Sequence, residues 1–265
     1  MRIGVTSMVF WNWDIAQFIK KTGELGFNTI EIWTRQFEKQ EKVTPQQLNR
    51  LLKEAGLTST VHVPIRDLNI ASINKGIRKE SVAQMIEAIN FCAEIEGELV
   101  VMHPGRLSGR MEDPEEQWKY QLDSFEKIMK AAESKSVVIA VENMEYSKKD
   151  ELVVTAEDIR RLQSMLKGFY LPVTLDTTHM ESTERILDTI EILKNDIQHV
   201  HLSDFNNKYH LPLGGGNLEF EIIFKKLKEI QFKGLISLEV LIFQPDQLTD
   251  KLEAERDKVL KLIRT

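Results

Sequence analysis

Three carboxylates close short apolar runs in this sequence. Glu142 ends Val138-Ile139-Ala140-Val141, Asp176 ends Leu171-Pro172-Val173-Thr174-Leu175, and Glu239 sits late in Leu235-Ile236-Ser237-Leu238. A carboxylate in such a run costs several kcal/mol unless it is paired or bound to a cation. Something positive is therefore expected among them. All six histidines, at 62, 103, 179, 199, 201 and 210, fall in or just after such runs, and none in a stretch of helical periodicity. With half of a chain helical, chance gives this placement about once in 60 trials. If the runs converge, Glu142, Asp176 and Glu239 meet His201. Three carboxylates with one neutral imidazole make an oxygen/nitrogen shell of charge about -3, suited to Mn²⁺, Co²⁺, Zn²⁺ or Fe²⁺ rather than to a thiolate-selected ion. The competing reading pairs the carboxylates with Arg or Lys and leaves the histidines as polar filling.

The remaining polar groups extend this pattern. His62 in Val61-His62-Val63-Pro64 and His103 in Val101-Met102-His103-Pro104-Gly105 end two further runs. With Glu142 as a shared carboxylate they make a second metal site, since two-metal sites need such a bridge. Alternatively the two imidazoles hold substrate hydroxyls, with Arg106 nearby. His179, three residues past Asp176, is expected in a loop aimed at the same mouth. His199, two residues before His201, lies on the same side of its strand one layer deeper and is read as interior packing. Trp11, Trp13 and Trp33 follow the first two runs and either wall a pocket or pack outside it. Gly214-Gly215-Gly216 precedes a helical stretch, where backbone N–H groups can take a phosphate. A flexible loop is the preferred reading there.

Positioning these groups requires a regular scaffold. Short β-branched runs alternate with longer amphipathic segments eight times, with no low-complexity linker between. Strands are expected near 2–6, 28–33, 58–63, 98–103, 137–142, 171–176, 197–202 and 234–240. Trp118, Leu122, Phe125 and Met129, and then Phe220, Ile223, Phe224 and Leu227, give helical apolar stripes. Thr44-Pro45 and Asp113-Pro114 read as helix starts. Gly26, Gly56, Gly97 and Gly234 stand where helices end before strands. Eight such units predict an α/β fold, a closed (β/α)₈ barrel of the TIM type, as one domain over 1–265. An open doubly wound sheet is disfavoured because no Gly-x-Gly-x-x-Gly follows the first strand. A chain of this length buries roughly 75% of its unfolded surface, so a metal is not needed for stability and would be functional.

Composition narrows the function classes. Thirty-five Lys and Arg against 41 Asp and Glu give a formal charge of -6, which argues against a broad nucleic-acid-binding face. The single cysteine, Cys92, lies in an apolar helical stretch and is read as a small buried hydrophobe. The N-terminal apolar run is too short for a secretory segment, and no stretch reaches membrane-spanning length. A cytoplasmic location is the default expectation.

The set His62-Val63-Pro64, His103-Pro104-Gly105, Glu142-Asn143, Leu175-Asp176-Thr177-Thr178-His179, His199-Val200-His201-Leu202-Ser203-Asp204, Leu213-Gly214-Gly215-Gly216 and Leu238-Glu239-Val240 carries a resemblance across the whole chain. The chain resembles the xylose-isomerase-like TIM-barrel superfamily of sugar and sugar-phosphate isomerases and epimerases, relatives of endonuclease IV. In the ketose 3-epimerases of this superfamily the metal ligands align with Glu142, Asp176, His201 and Glu239. The two glutamates also act as acid and base on opposite faces of the substrate. The resemblance therefore implies one or two divalent ions, Mn²⁺ or Zn²⁺ with Co²⁺ and Fe²⁺ as alternatives. It also implies a carbohydrate substrate and proton transfer beside a carbonyl through a metal-stabilised enediolate. His179 would hold a substrate hydroxyl, with Arg106, Trp33 and His210 as further contacts. The arginine usual in the epimerases six residues past the metal histidine is replaced by Asn207. The rival is an abasic-site endonuclease or other phosphodiesterase, whose first zinc site aligns with His62, His103 and Glu142. Its third zinc needs an aspartate where Lys208 stands, beside His179 and His210, so three-metal cleavage is disfavoured. Subunit number is not set by the sequence.

Overall fold

β-Branched residues are stiff at χ1 and pack well on a pleated surface, and each of the eight apolar runs forms a strand. These are β1 (Arg2–Thr6), β2 (Thr29–Trp33), β3 (Thr58–His62), β4 (Val100–Met102), β5 (Ile139–Glu142), β6 (Val173–Asp176), β7 (Ile197–Leu202) and β8 (Leu235–Leu238). A computed structural model describes residues 1–38, 43–242 and 247–265. In it the strands pair in chain order, all parallel, and β8 closes on β1. The expected strands and the closed barrel are thus both found. β4 and β8 are shorter than expected, so His103 and Glu239 stand just beyond strand ends. Asp176 pairs with His201 and Leu202 with Leu238, which brings β6, β7 and β8 to the rim in step.

Helices cover the outside of the sheet: α1 (Ile15–Glu24), α2 (Thr34–Glu38), α3 (Pro45–Glu54), α4 (Lys75–Glu94), α5 (Pro114–Lys135), α6 (Ala156–Met165), α7 (Thr183–Leu193), α8 (Phe220–Glu229) and α9 (Leu248–Arg264). The two apolar stripes do what their spacing predicts. Trp118, Phe125 and Met129 of α5 and Phe220, Ile223, Phe224 and Leu227 of α8 are buried in the core, with Leu122 half-buried against it. Each such side chain contributes about 1.5–3 kcal/mol. Thr44 caps α3 through a reciprocal pair with Gln47, at 3.2 and 2.8 Å, and Asp113 accepts from the Glu115 N–H at 2.9 Å. Cys92 is buried, and burial pushes its thiol up to about 12, so it is an unreactive core residue at neutral pH. Among the described residues no helix is long and apolar enough to cross a membrane.

The glycines before strands serve two different needs. Gly26 and Gly56 take the left-handed conformation that ends α1 and α3. Before β8 that conformation belongs instead to Gln231, with φ 57°. Gly234 is there for room: a Cβ would meet the Gln198 carbonyl and come within 2.7 Å of the Phe232 ring. Gly234→Ala is expected to cost about 1–3 kcal/mol through overpacking, read as a lower denaturation midpoint with unchanged slope. A midpoint equal to wild type would show that β7 and β8 have room to part.

Candidate metal centre and cavity

Glu142 is the last residue of β5, Asp176 the last of β6, His201 the penultimate residue of β7, and Glu239 follows β8. Parallel pairing brings all four to one rim, where each offers a ligand atom within 4.8 Å of the others, and all are buried. The convergence centres on His201 Nδ1. Glu239 Oε2 lies 2.7 Å away, Glu142 Oε1 3.1 Å and Asp176 Oδ2 3.8 Å. One ring nitrogen carries at most one proton and cannot satisfy three carboxylates. Glu142 Oε2 and Asp176 Oδ2 are buried with no hydrogen-bond donor. Buried orphan acceptors are costly, and a divalent cation is the group that satisfies a set of inward-facing oxygens and one imidazole nitrogen together. The donor set therefore fits Mn²⁺, Zn²⁺ or a similar ion.

A second group adjoins the first through Glu142. Its Oε2 lies 3.4 Å from His62 Nε2 and 3.2 Å from His103 Nε2. His62 Nδ1–H donates to its neighbour's carbonyl, Val63 O, at 2.8 Å, so the neutral ring keeps its Nε2 lone pair for a cation, on the side that faces Glu142. Trp33 stacks on the His62 ring, with centroids 4.1 Å apart and planes at 12°, which holds that orientation. These are the three residues expected to form a second site.

Electrostatics follow from crowding in a dry place. Burial pulls the His201 imidazolium down, but Glu239, Glu31 and Glu142 outweigh it and hold it well above the usual histidine range. The proton so held on Nδ1 takes the position a cation would take. Burial likewise pushes Glu239 up, yet His201 prevails and brings it to about 2. Asp176 goes the other way, to about 6, because burial outweighs the opposing His179 and His210. His199 is lowered to about 3 by burial and then by its neighbour His201. Its Nε2 meets Ser237 Oγ at 2.8 Å in the barrel interior, and with Glu31 and His201 it forms a buried group whose ligand atoms lie within 4.8 Å of one another.

The rim opens into a cavity of about 800 Å³ lined by Trp11, Trp33, His103, His179, His210 and both glutamates, Glu142 and Glu239. His179 Nδ1–H donates to Asn143 O at 2.9 Å, which leaves Nε2 as the polar atom available to a ligand. Asn143 in turn brackets Asp176, accepting from its N–H at 2.8 Å and donating to its carbonyl at 3.1 Å. Trp13 packs on Phe10 instead, with ring centroids 4.7 Å apart. Arg106 is exposed and lines a side pocket of about 60 Å³ with His103 and Glu151, whereas Arg35 and Arg66 line the main cavity. Neither of the latter was singled out from sequence, because loop arginines carry no periodic signal. Glu31 was missed too. It is fully buried in β2, with both carboxylate oxygens 3.1 Å from His201 Nε2. Its signal was a charge inside Thr29-Ile30-Glu31-Ile32.

The glycine run is a tied loop rather than a slack one. Buried Asp204 accepts the N–H groups of Phe205, Gly214, Gly216 and Leu218 at 2.8–3.0 Å. An internal carboxylate thus takes the anion position a phosphate would need. Asp204 also exchanges backbone hydrogen bonds with Leu211 at 2.8 and 3.0 Å, next to His210. Asp204→Ala is expected to cost about 2–4 kcal/mol and to open 205–218 to proteolysis, seen as early cleavage there at constant temperature. Cleavage at the wild-type rate would show that the loop holds itself.

Comparison with known proteins agrees with the geometry. Residues 19–262 match the family described as xylose isomerase-like TIM barrel. An uncharacterised protein of Methanocaldococcus jannaschii is 30% identical over 249 residues, covering 90% of this chain and 83% of that one. A probable endonuclease 4 of Aquifex aeolicus is 24% identical over 264 residues, covering 93% and 91%. A D-psicose 3-epimerase of Ruminiclostridium cellulolyticum is 23% identical over 254 residues, covering 93% and 85%. The crystal structure of a D-tagatose 3-epimerase-like protein superposes with a TM-score of 0.84 at 28% identity, covering 100% of this chain and 98% of that one. With eight parallel strands closed in order and the match running over most of its length, the chain belongs to the xylose isomerase-like TIM-barrel family.

Proposed function

We propose that the protein is a divalent-metal-dependent isomerase or epimerase of a sugar or sugar phosphate, transferring a proton at the carbon beside a carbonyl. One observation carries this reading. Glu142 and Glu239 approach His201 Nδ1 from different strands, at 3.1 and 2.7 Å, and both line the cavity. A bound divalent ion would offset negative charge on the substrate's oxygens. The protein's own groups do the rest. One of the two glutamates takes the proton from the carbon, and the other returns one, so that the pair keeps a single proton between them. His179 Nε2 holds a substrate hydroxyl, and Trp11 and Trp33 exclude water from the cavity.

Phosphodiester cleavage is the reading to be eliminated. Among the described residues, His179 and His210 join no cluster of three or more close ligand atoms, and position 208, two before His210, is a lysine rather than a carboxylate. Arg35 and Arg66 on the cavity wall face Glu38, Asp67 and Glu145 besides the two central glutamates, so the protein's own groups present no net positive charge to a long polyanion. Both chemistries are tested in one experiment, in D₂O with Mn²⁺, on a panel of ketoses and ketose phosphates beside an abasic-site duplex. Deuterium is expected at the carbon next to the carbonyl of at least one sugar. A nicked duplex with unlabelled sugars would overturn the proposal.

A further inference from the structure

We infer that Glu31 is a positioning residue that fixes which nitrogen of His201 faces the metal centre, and through it the affinity of that centre for a divalent cation. The inference rests on the metal-dependent reading above. Glu31 points inward from β2, across the barrel from β7, and no sequence motif links the two strands. Its oxygens are both 3.1 Å from His201 Nε2. Thr60 Oγ1 donates to Oε2 at 3.3 Å, and His199 Nδ1 lies 3.7 Å from the same oxygen. Glu31 and His201 are both fully buried.

The chemistry follows from the two faces of one ring. A buried carboxylate accepts and does not donate, so Nε2 must carry hydrogen to satisfy it. Nδ1 is then the nitrogen whose lone pair is available, on the side where Glu142, Asp176 and Glu239 converge. Partners of this kind on a metal-binding imidazole set its tautomer and ring angle and raise its basicity, and losing one typically weakens metal binding 10–100-fold. A carboxylate that merely filled the barrel interior would change fold stability and leave the ring's proton where it was.

The test uses the whole chain loaded with Zn²⁺ for NMR and titrated with Co²⁺ by calorimetry. Zn²⁺-loaded wild type is expected to show a slowly exchanging ring proton on His201 Nε2, with Nδ1 in the metal-bound range. Glu31→Gln keeps an acceptor of the same shape but removes the charge. It is expected to bind Co²⁺ 10–100-fold more weakly and to shift that ring proton, while Glu31→Asp recovers part of the affinity. A proton on Nδ1 in Zn²⁺-loaded wild type overturns the inference, and so does undiminished Co²⁺ affinity in folded Glu31→Gln. Should the glutamine variant fail to fold, the wild-type spectrum and Glu31→Asp decide. Failure of the catalytic proposal looks different: the Co²⁺ and ring-proton results appear as expected and no sugar takes up deuterium.

Discussion

Glu142→Gln is expected to lower deuterium exchange into the substrate by about 10³-fold or more, since loss of an acid/base group alone accounts for 10²–10⁴, while the barrel stays folded. Glu142 is the residue common to the group of Asp176, His201 and Glu239 and the group of His62 and His103. Oε1 sits 3.1 Å from His201 Nδ1, and Oε2 sits 3.4 and 3.2 Å from the Nε2 atoms of His62 and His103. A glutamine amide placed there can donate toward the imidazole lone pairs, so the buried polar atoms stay partnered. The charge shared by the two candidate metal groups is gone. Metal content measured by mass spectrometry should therefore fall at both groups in Glu142→Gln. Glu239→Gln lowers only the group containing Asp176 and His201, because Glu239 belongs to no other. Exchange within tenfold of wild type in Glu142→Gln would remove Glu142 from the reaction.

Metal removal should destabilise the protein most at alkaline pH. In the metal-free state burial lifts Asp176 to about 6 despite His179 and His210, above its ordinary value near 3.9. A carboxyl raised in this way contributes stability that is full below about pH 4 and is lost as pH rises through 6. His179 is pulled down by burial but lifted further by Asp176, Glu142 and Glu145, to about 9. Its contribution is full below about 6.5 and lost as pH rises through 9. Both windows run in one direction, so these two groups together weaken the metal-free chain as pH rises from about 5 to about 9. A divalent ion at 100 times its dissociation constant contributes about 2.7 kcal/mol, which in a chain of this size moves the melting temperature by roughly 5–10 °C. Thermal melts with EDTA or Mn²⁺ should show that shift at pH 8 and a smaller one at pH 5, where protons compete for Asp176 and His201. An equal shift at both values would mean that the ion binds elsewhere.

Most of the scaffold was legible in the residues because its signals are local. Val138-Ile139-Ala140-Val141 and its seven counterparts mark strands from their own composition. The spacing of Trp118, Phe125 and Met129 marks a helix face within a few turns. Once the strands are known to be parallel and closed, the groups at their ends must share a rim, so the sequence alone groups Glu142, Asp176, His201 and Glu239. Arg106 seemed near the mouth by sequence distance, yet the path of its loop sends it to a side pocket, and Arg35 and Arg66 line the cavity instead. Gly214-Gly215-Gly216 reads as slack, yet Asp204, ten residues before the first of them, accepts the N–H groups of the outer two. Glu31 looked like any polar residue alternating along a strand. Whether such a residue faces inward depends on the register between β2 and its neighbours, and its partner lies 170 positions away. By itself the sequence determined which segments are strands and helices and which charged groups end together, since these depend on backbone preferences and neighbours a few residues apart. Tertiary structure alone decided which nitrogen of His201 meets which carboxylate and which loop side chains enter the cavity, since those contacts arise only when distant segments pack.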